Sequence, residues 1–140
     1  MKFSELTIGM SKTIQKVITE EDTALYFGNG SIKDLLATPV LSALMIEASV
    51  SVVDPLLPDD YITIGKYLSI QHSEPTIKGM TVTVKSSISE IDNNRIIFTI
   101  KAYDELGEIG SGTHERYIVN YNLLRQKIDK RTERLAPQPN

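Results

Sequence analysis

The chain has 140 residues, no Cys, no Trp, two His and a formal net charge of −3. That length suits one domain with a core large enough to fold without staples, and the missing Cys excludes a disulfide framework, a thiolate zinc site, an Fe–S cluster and a Cys nucleophile. Two His exclude a three-His metal site within one subunit, and the mild acidity speaks against a nucleic-acid-binding face.

The N-terminus, Met1 to Thr7, has no long apolar core of a secretory signal. No run of 18 apolar residues occurs, because Ser42, Glu47, Ser49 and Ser51 interrupt the stretch Pro39 to Val53. The expectation is a soluble, cytoplasmic protein with no membrane and no nucleic-acid partner. One domain over residues 1–135 is expected, with 136–140 as a frayed tail.

In chain order, Ser11 to Thr19 alternates loosely and predicts a first strand. Ser31 followed by Asp34 predicts a helical turn over Ile32 to Leu36. Thr38-Pro39 reads as an N-cap followed by Pro at the first helical position. The helix should run to about Val53, where Asp54-Pro55 and Leu57-Pro58 stop it. It is apolar on nearly every side and should be buried.

Four strands follow. Tyr61 to Ser73 puts Ile62, Ile64, Leu68, Ile70 and His72 on one parity, and Met80 to Asp92 alternates Val82, Val84 and Ile88 with polar residues. Asp92-Asn93-Asn94 predicts a hairpin turn into Arg95 to Asp104. Glu105-Leu106-Gly107 turns again into Glu108 to Tyr121, and the charged segment Leu123 to Leu135 predicts a C-terminal helix. The order implies an α+β architecture, an antiparallel β-sheet wrapped around one central apolar α-helix, which is the hotdog plan. The open sheet edges make a homodimer the expected minimum.

Few residues in this pattern suit chemistry. Glu47 is the only acid within the apolar helix, where an unpaired buried carboxylate would cost several kcal/mol. It reads as a base or nucleophile in a pocket, or as a paired residue at an interface. His72 lies on the parity expected to face the helix and suits proton transfer near neutral pH. Thr38 serves as a cap, with its hydroxyl also able to face a pocket at the helix N-terminus. In Glu108-Ile109-Gly110-Ser111-Gly112-Thr113-His114-Glu115-Arg116, two Gly within a strand suggest a bulge or a close approach by backbone or ligand. Arg116 suits pairing with Glu47 or with a partner's Glu115, or binding of phosphate or carboxylate. No GxGxxG, Walker or Ser-elbow motif is present, so dinucleotide and P-loop chemistry are excluded.

Together, Ala37-Thr38-Pro39, Ile64-Gly65, His72, Gly79-Met80-Thr81-Val82-Thr83-Val84 and the block Glu108 to Arg116 resemble the fluoroacetyl-CoA thioesterase-like group of hotdog proteins, over nearly the whole chain. The resemblance implies an acyl-CoA thioesterase, a homodimer that hydrolyses a small or medium acyl thioester with no metal or cofactor. It implies catalytic roles for Thr38, Glu47 and His72 and substrate binding by Gly65 and Arg116. The acid departs from the pattern: aligned without gaps, the family Glu falls on Ile46, and Glu47 lies about 100° further round the helix. The alternatives are a non-catalytic hotdog protein that binds acyl-CoA or a related small ligand, and a hotdog enoyl-CoA hydratase.

Overall fold

A computed structural model describes residues 3–28 and 32–135. Five strands form one antiparallel sheet: β1 (Ser11–Val17), β2 (Tyr61–His72), β3 (Thr81–Asp92), β4 (Arg95–Asp104) and β5 (Gly107–Asn120), in the order β1-β3-β4-β5-β2. Helix α1 (Thr38–Val53) lies along one face and α2 (Tyr121–Thr132) follows β5. This is the hotdog architecture expected from the sequence.

The core is the inner sheet face against α1. Val82, Val84, Ile96, Phe98, Ile100 and Ala102 meet Leu41, Met45, Ala48, Val52 and Val53, all essentially without exposure. The segment Thr38–Leu56 has the length and mean hydropathy, 1.4, of a membrane span. Here its sheet-facing stripe supplies one wall of the core. A buried polar link across that wall joins Ser49 on α1 to Ser86 on β3, hydroxyl to hydroxyl at 2.8 Å, while the Ser49 hydroxyl also lies 2.8 Å from the Met45 carbonyl.

Three one-residue bulges shape the sheet. The register leaves Lys66 unpaired on β2, Ser89 on β3 and Ile109 on β5. The bulge at Lys66 reverses the parity of β2: Thr63 and Gly65 pair with Ile118 and Arg116 on the inner face, and beyond it Leu68, Ile70 and His72 pair with His114, Gly112 and Gly110. Ile64 therefore does not share His72's face, contrary to simple alternation, because an inserted residue shifts every later side chain to the other side.

Three further expectations are corrected. Ile32 to Leu36 is not helical: Leu35 and Leu36 form isolated bridges to Ile77 and Thr23, and their backbone groups bond to Ala24 and Thr76 rather than within a turn. Ser31, on which that turn rested, lies outside the described residues, as does 136–140. At α1 the cap is Ala37, and Thr38 is the first helical residue, with Pro39 behind it. The C-terminal helix starts at Tyr121, two residues early, because the Asn120 side chain caps it by accepting from the Leu123 N–H at 3.1 Å.

Candidate active site

The start of α1 and the end of β2 meet at the floor of an open cavity of about 570 Å³. Freed from capping, the Thr38 hydroxyl lies 2.8 Å from His72 Nδ1. The Val40 and Leu41 N–H groups both bond to the Ala37 carbonyl, and Pro39 has no N–H. The Thr38 N–H makes no backbone hydrogen bond among the described residues, so it is a first-turn amide left out of the helix ladder, on a residue that lines the cavity.

His72 Nε2 is buried and has no hydrogen-bond partner among the described residues. Burial pushes the imidazole below its ordinary value, and the Glu74 backbone offsets part of that shift. The ring is therefore neutral at pH 7, with a lone pair available for a proton.

The cavity walls come from places that periodicity does not reveal. Ala24, Phe27, Gly28, Ile32 and Leu35 to Ala37 supply one wall and Ser73 to Pro75 another. The first wall is held by Asp22, whose carboxylate takes the Thr19 N–H and hydroxyl at 2.9 and 3.0 Å and pairs with Lys16 at 3.1 Å. The Asp22 carbonyl then accepts from the Ala37 N–H at 2.9 Å, directly before the helix. The second wall hangs from the Ile109 bulge, whose carbonyl accepts from the Ser73 and Glu74 N–H groups at 2.8 and 3.1 Å and lies 3.1 Å from the Ser73 hydroxyl.

The Gly-Ser-Gly run explains how α1 comes so close. A Cβ at Gly110 would stand 2.7 Å from the Gln71 carbonyl and 3.3 Å from Leu41; one at Gly112 would stand 2.9 Å from the Ser69 carbonyl and 3.0 Å from Met45. The close approach anticipated from this motif is thus made by the protein's own helix and neighbouring strand.

Gly65 and Arg116 form a second constellation. Arg116 is 8% exposed and spends its fork internally: Nε donates to the Thr63 hydroxyl at 2.7 Å, one Nη to the Thr63 carbonyl at 2.9 Å and the other to His114 Nε2 at 3.1 Å. The Thr63 hydroxyl donates to Asp54, which also accepts the Thr63 N–H at 3.2 Å. His114 Nδ1 donates to the Tyr67 carbonyl at 2.7 Å while Nε2 accepts from Arg116, so one acceptor and one donor fix the neutral tautomer of the ring. Burial pushes His114 below its ordinary value; the Tyr67 backbone opposes this and the Arg116 charge adds to it. Gly65 leaves the space: a Cβ there would stand 2.9 Å from Arg116 and 3.1 Å from His114.

Glu47 stands apart. It is exposed on α1 and is not among the residues lining the cavity. Nine residues from Thr38 correspond to about 13 Å along the helix. Within the protomer Arg116 does not pair with Glu47, its fork being taken up by Thr63 and His114, and Glu115 of the same chain accepts from Arg95 at 2.6 Å. Within the protomer the structure thus joins Thr38 with His72, and Gly65 with Arg116, and leaves Glu47 outside both. Asp54, Thr63 and the residues of the two cavity walls were not singled out by sequence; Glu74, two residues beyond His72, carried the nearest signal.

The comparisons with known proteins concern the family and the fold. A family model described as fluoroacetyl-CoA-specific thioesterase matches residues 18–122. The fluoroacetyl-CoA thioesterase of Streptantibioticus cattleyicolor is 30% identical over 99 residues, covering 71% of each chain. A hot-dog-like protein from Thermanaerovibrio acidaminovorans superposes with a TM-score of 0.87 at 23% identity, covering 99% of this chain and 100% of that one. A mutant of a fluoroacetyl-CoA thioesterase solved in complex with acetyl-CoA gives 0.82 at 26% identity, covering 91% and 99%. A match running from Ile18 to Asn122 takes in α1, the cavity walls and every strand but β1, and the chain belongs to the fluoroacetyl-CoA-specific thioesterase family.

Proposed function

We propose that the Thr38–His72 pair hydrolyses acyl-CoA thioesters, converting R–CO–S–CoA and water to the free acid and CoA thiol. The 2.8 Å contact between the Thr38 hydroxyl and His72 Nδ1 carries this reading, because a hydroxyl bonded to a neutral imidazole is a nucleophile paired with its base. Thr38 Oγ attacks the carbonyl carbon while Nδ1 takes its proton. The tetrahedral oxyanion faces the Thr38 N–H at the positive end of α1. As the C–S bond breaks, His72 returns the proton to the departing thiolate. Water, deprotonated by the same nitrogen, then releases the acid and restores Thr38.

The working unit in this proposal is a homodimer. Strand β2 is a sheet edge of 12 residues, and Ala43, Ile46 and Val50 leave apolar surface on α1 incompletely covered. Glu47 lies on the same side of the helix, so its carboxylate enters the chemistry only at a second copy's cavity. Gly65 and Arg116 serve the substrate from behind, through the shape they give β2.

The test is turnover of an acyl-CoA panel with thiol release as the readout, combined with quenched-flow mass spectrometry. His72→Ala should lower kcat by about 10²–10⁴-fold, and an acyl adduct should appear on the Thr38 peptide. Full activity in Thr38→Val, with no adduct in the wild type, would remove Thr38 as nucleophile.

A further inference from the structure

We infer that the acyl group this enzyme selects is an uncharged, apolar chain of roughly six to ten carbons, and that Glu74 rejects acyl groups ending in a carboxylate. The inference rests on the thioesterase reading above and adds the substrate class to it.

The size argument comes first. At about 30 Å³ per heavy atom, the share of a water molecule in the liquid, 570 Å³ holds on the order of 19 heavy atoms. A two-carbon acyl group brings about three. With the thioester at Thr38 and the end of the pantetheine arm inside, such a group leaves part of the space to water, against walls that gain nothing from it. A medium chain and the end of the pantetheine arm together fill it.

The character of the walls sets the rest. Ala24, Phe27, Ile32, Leu35, Pro39 and Pro75 are apolar, and Phe27 and Ile32 remain 38% and 52% exposed in the free protein. An aliphatic chain removes that surface from water; a polar one does not. The Ser73 hydroxyl is already engaged by the Ile109 carbonyl, so it offers a polar acyl group little.

Charge gives the exclusion. Among the described residues lining the cavity, Glu74 is the only one that is charged at neutral pH, and no Lys or Arg lines it. A terminal carboxylate on the acyl chain would meet a like charge with no cation to answer it. Glu74 is exposed, so the repulsion is modest and weakens with salt.

The experiment uses the full chain and two probe sets. S-alkyl-CoA thioethers, which cannot be hydrolysed, are titrated by calorimetry from ethyl to decyl, and the matching acyl-CoA thioesters are assayed for kcat/KM. Affinity and kcat/KM should rise up to about fourfold per methylene over the first several carbons, then level as the cavity fills. Hexanoyl-CoA should exceed adipyl-CoA by more than the same pair differs in Glu74→Gln, with about threefold to fivefold of the preference lost in the variant and in 1 M salt. A flat or falling ladder from two to eight carbons overturns the chain-length inference. A hexanoyl-to-adipyl ratio unmoved by Glu74→Gln overturns the role of Glu74. Thioethers that follow the ladder while no thioester is cleaved would sink the hydrolytic reading alone, leaving the ligand class standing; cleavage with a flat ladder would do the reverse. Absence of both binding and cleavage overturns both.

Discussion

Replacing Gly110 with Ala should cost both stability and activity, and the structure sets the size of the effect. Gly110 pairs across the sheet with His72, and an added Cβ would stand 2.7 Å from the Gln71 carbonyl and 3.3 Å from a Leu41 methyl. The first neighbour is backbone in the strand that carries His72, so it yields only if β2 moves. The second sits one turn beyond Thr38. Forcing a methyl group into a packed interface costs typically about 1–3 kcal/mol. The smaller unfolded-state entropy of Ala returns about 0.4–1 kcal/mol. The net loss spans about 0–2.6 kcal/mol and centres near about 1.3 kcal/mol, a fall in Tm of about 3–5 °C at the centre and about 10 °C at most for a domain of this size. Because the displaced elements carry Thr38 and His72, the proposed reacting pair, kcat should fall further than stability explains, at temperatures where the variant is fully folded. Thermal denaturation followed by circular dichroism, with thiol-release kinetics on the same samples, measures both. A variant as stable and active as the wild type would refute the idea that this Gly exists for the close approach of helix and strand.

Both imidazoles are held below the ordinary His value by burial. The unfolded chain therefore binds protons first, at about pH 6.5, so stability is complete above that pH and falls as pH drops from there toward the folded values. Urea denaturation between pH 5 and 8 should show that slope, and His72→Asn should reduce it. The acid limb of kcat/KM should lie below pH 6.5, since neutral His72 is the base; a limb above 7 contradicts the assignment. Arg116→Met should destabilise by about 1–3 kcal/mol, because it leaves the Thr63 carbonyl and His114 Nε2 without donors; a raised KM with unchanged Tm would mark Arg116 as a direct substrate contact instead. Glu47→Gln should leave kcat within about threefold if the protein is monomeric under assay conditions, consistent with an exposed side chain away from the cavity. A large loss accompanied by a dimer in light scattering would place Glu47 at the second copy's site.

Much of this architecture is legible from residue order. Prolines bracket α1, the Asp92–Asn94 turn joins two alternating strands, and a helix apolar all round has to sit against a sheet. The site was legible only where local rules reach. His72 was placed correctly on the inner face, but by a route that also put Ile64 there. Alternation counts residues, whereas a face depends on register, and nothing in Gly65-Lys66-Tyr67 announces a bulge. The bulge is bound up with distant groups, Arg116 at the Thr63 carbonyl and His114 at the Tyr67 carbonyl. Thr38 followed by Pro39 has the composition of a cap, yet Ala37 takes that position and the hydroxyl goes to a ring 34 residues away. The cavity walls depend on single long-range carbonyls, such as Ile109, that carry no compositional mark.

The Ser49–Ser86 contact has a consequence for alignment. Apolar packing alone tolerates a helix that slides or rolls a little on its sheet, since one methyl contact is much like the next. Two buried hydroxyls bonded at 2.8 Å do not: displacing α1 by a fraction of a turn separates them, and while Ser49 keeps its bond to the Met45 carbonyl within the helix, the buried Ser86 hydroxyl loses its partner at a cost of about 1–3 kcal/mol. The pair acts as a detent for the helix. Eleven residues away, about 16 Å along a rigid rod, that detent sets where the Thr38 hydroxyl arrives.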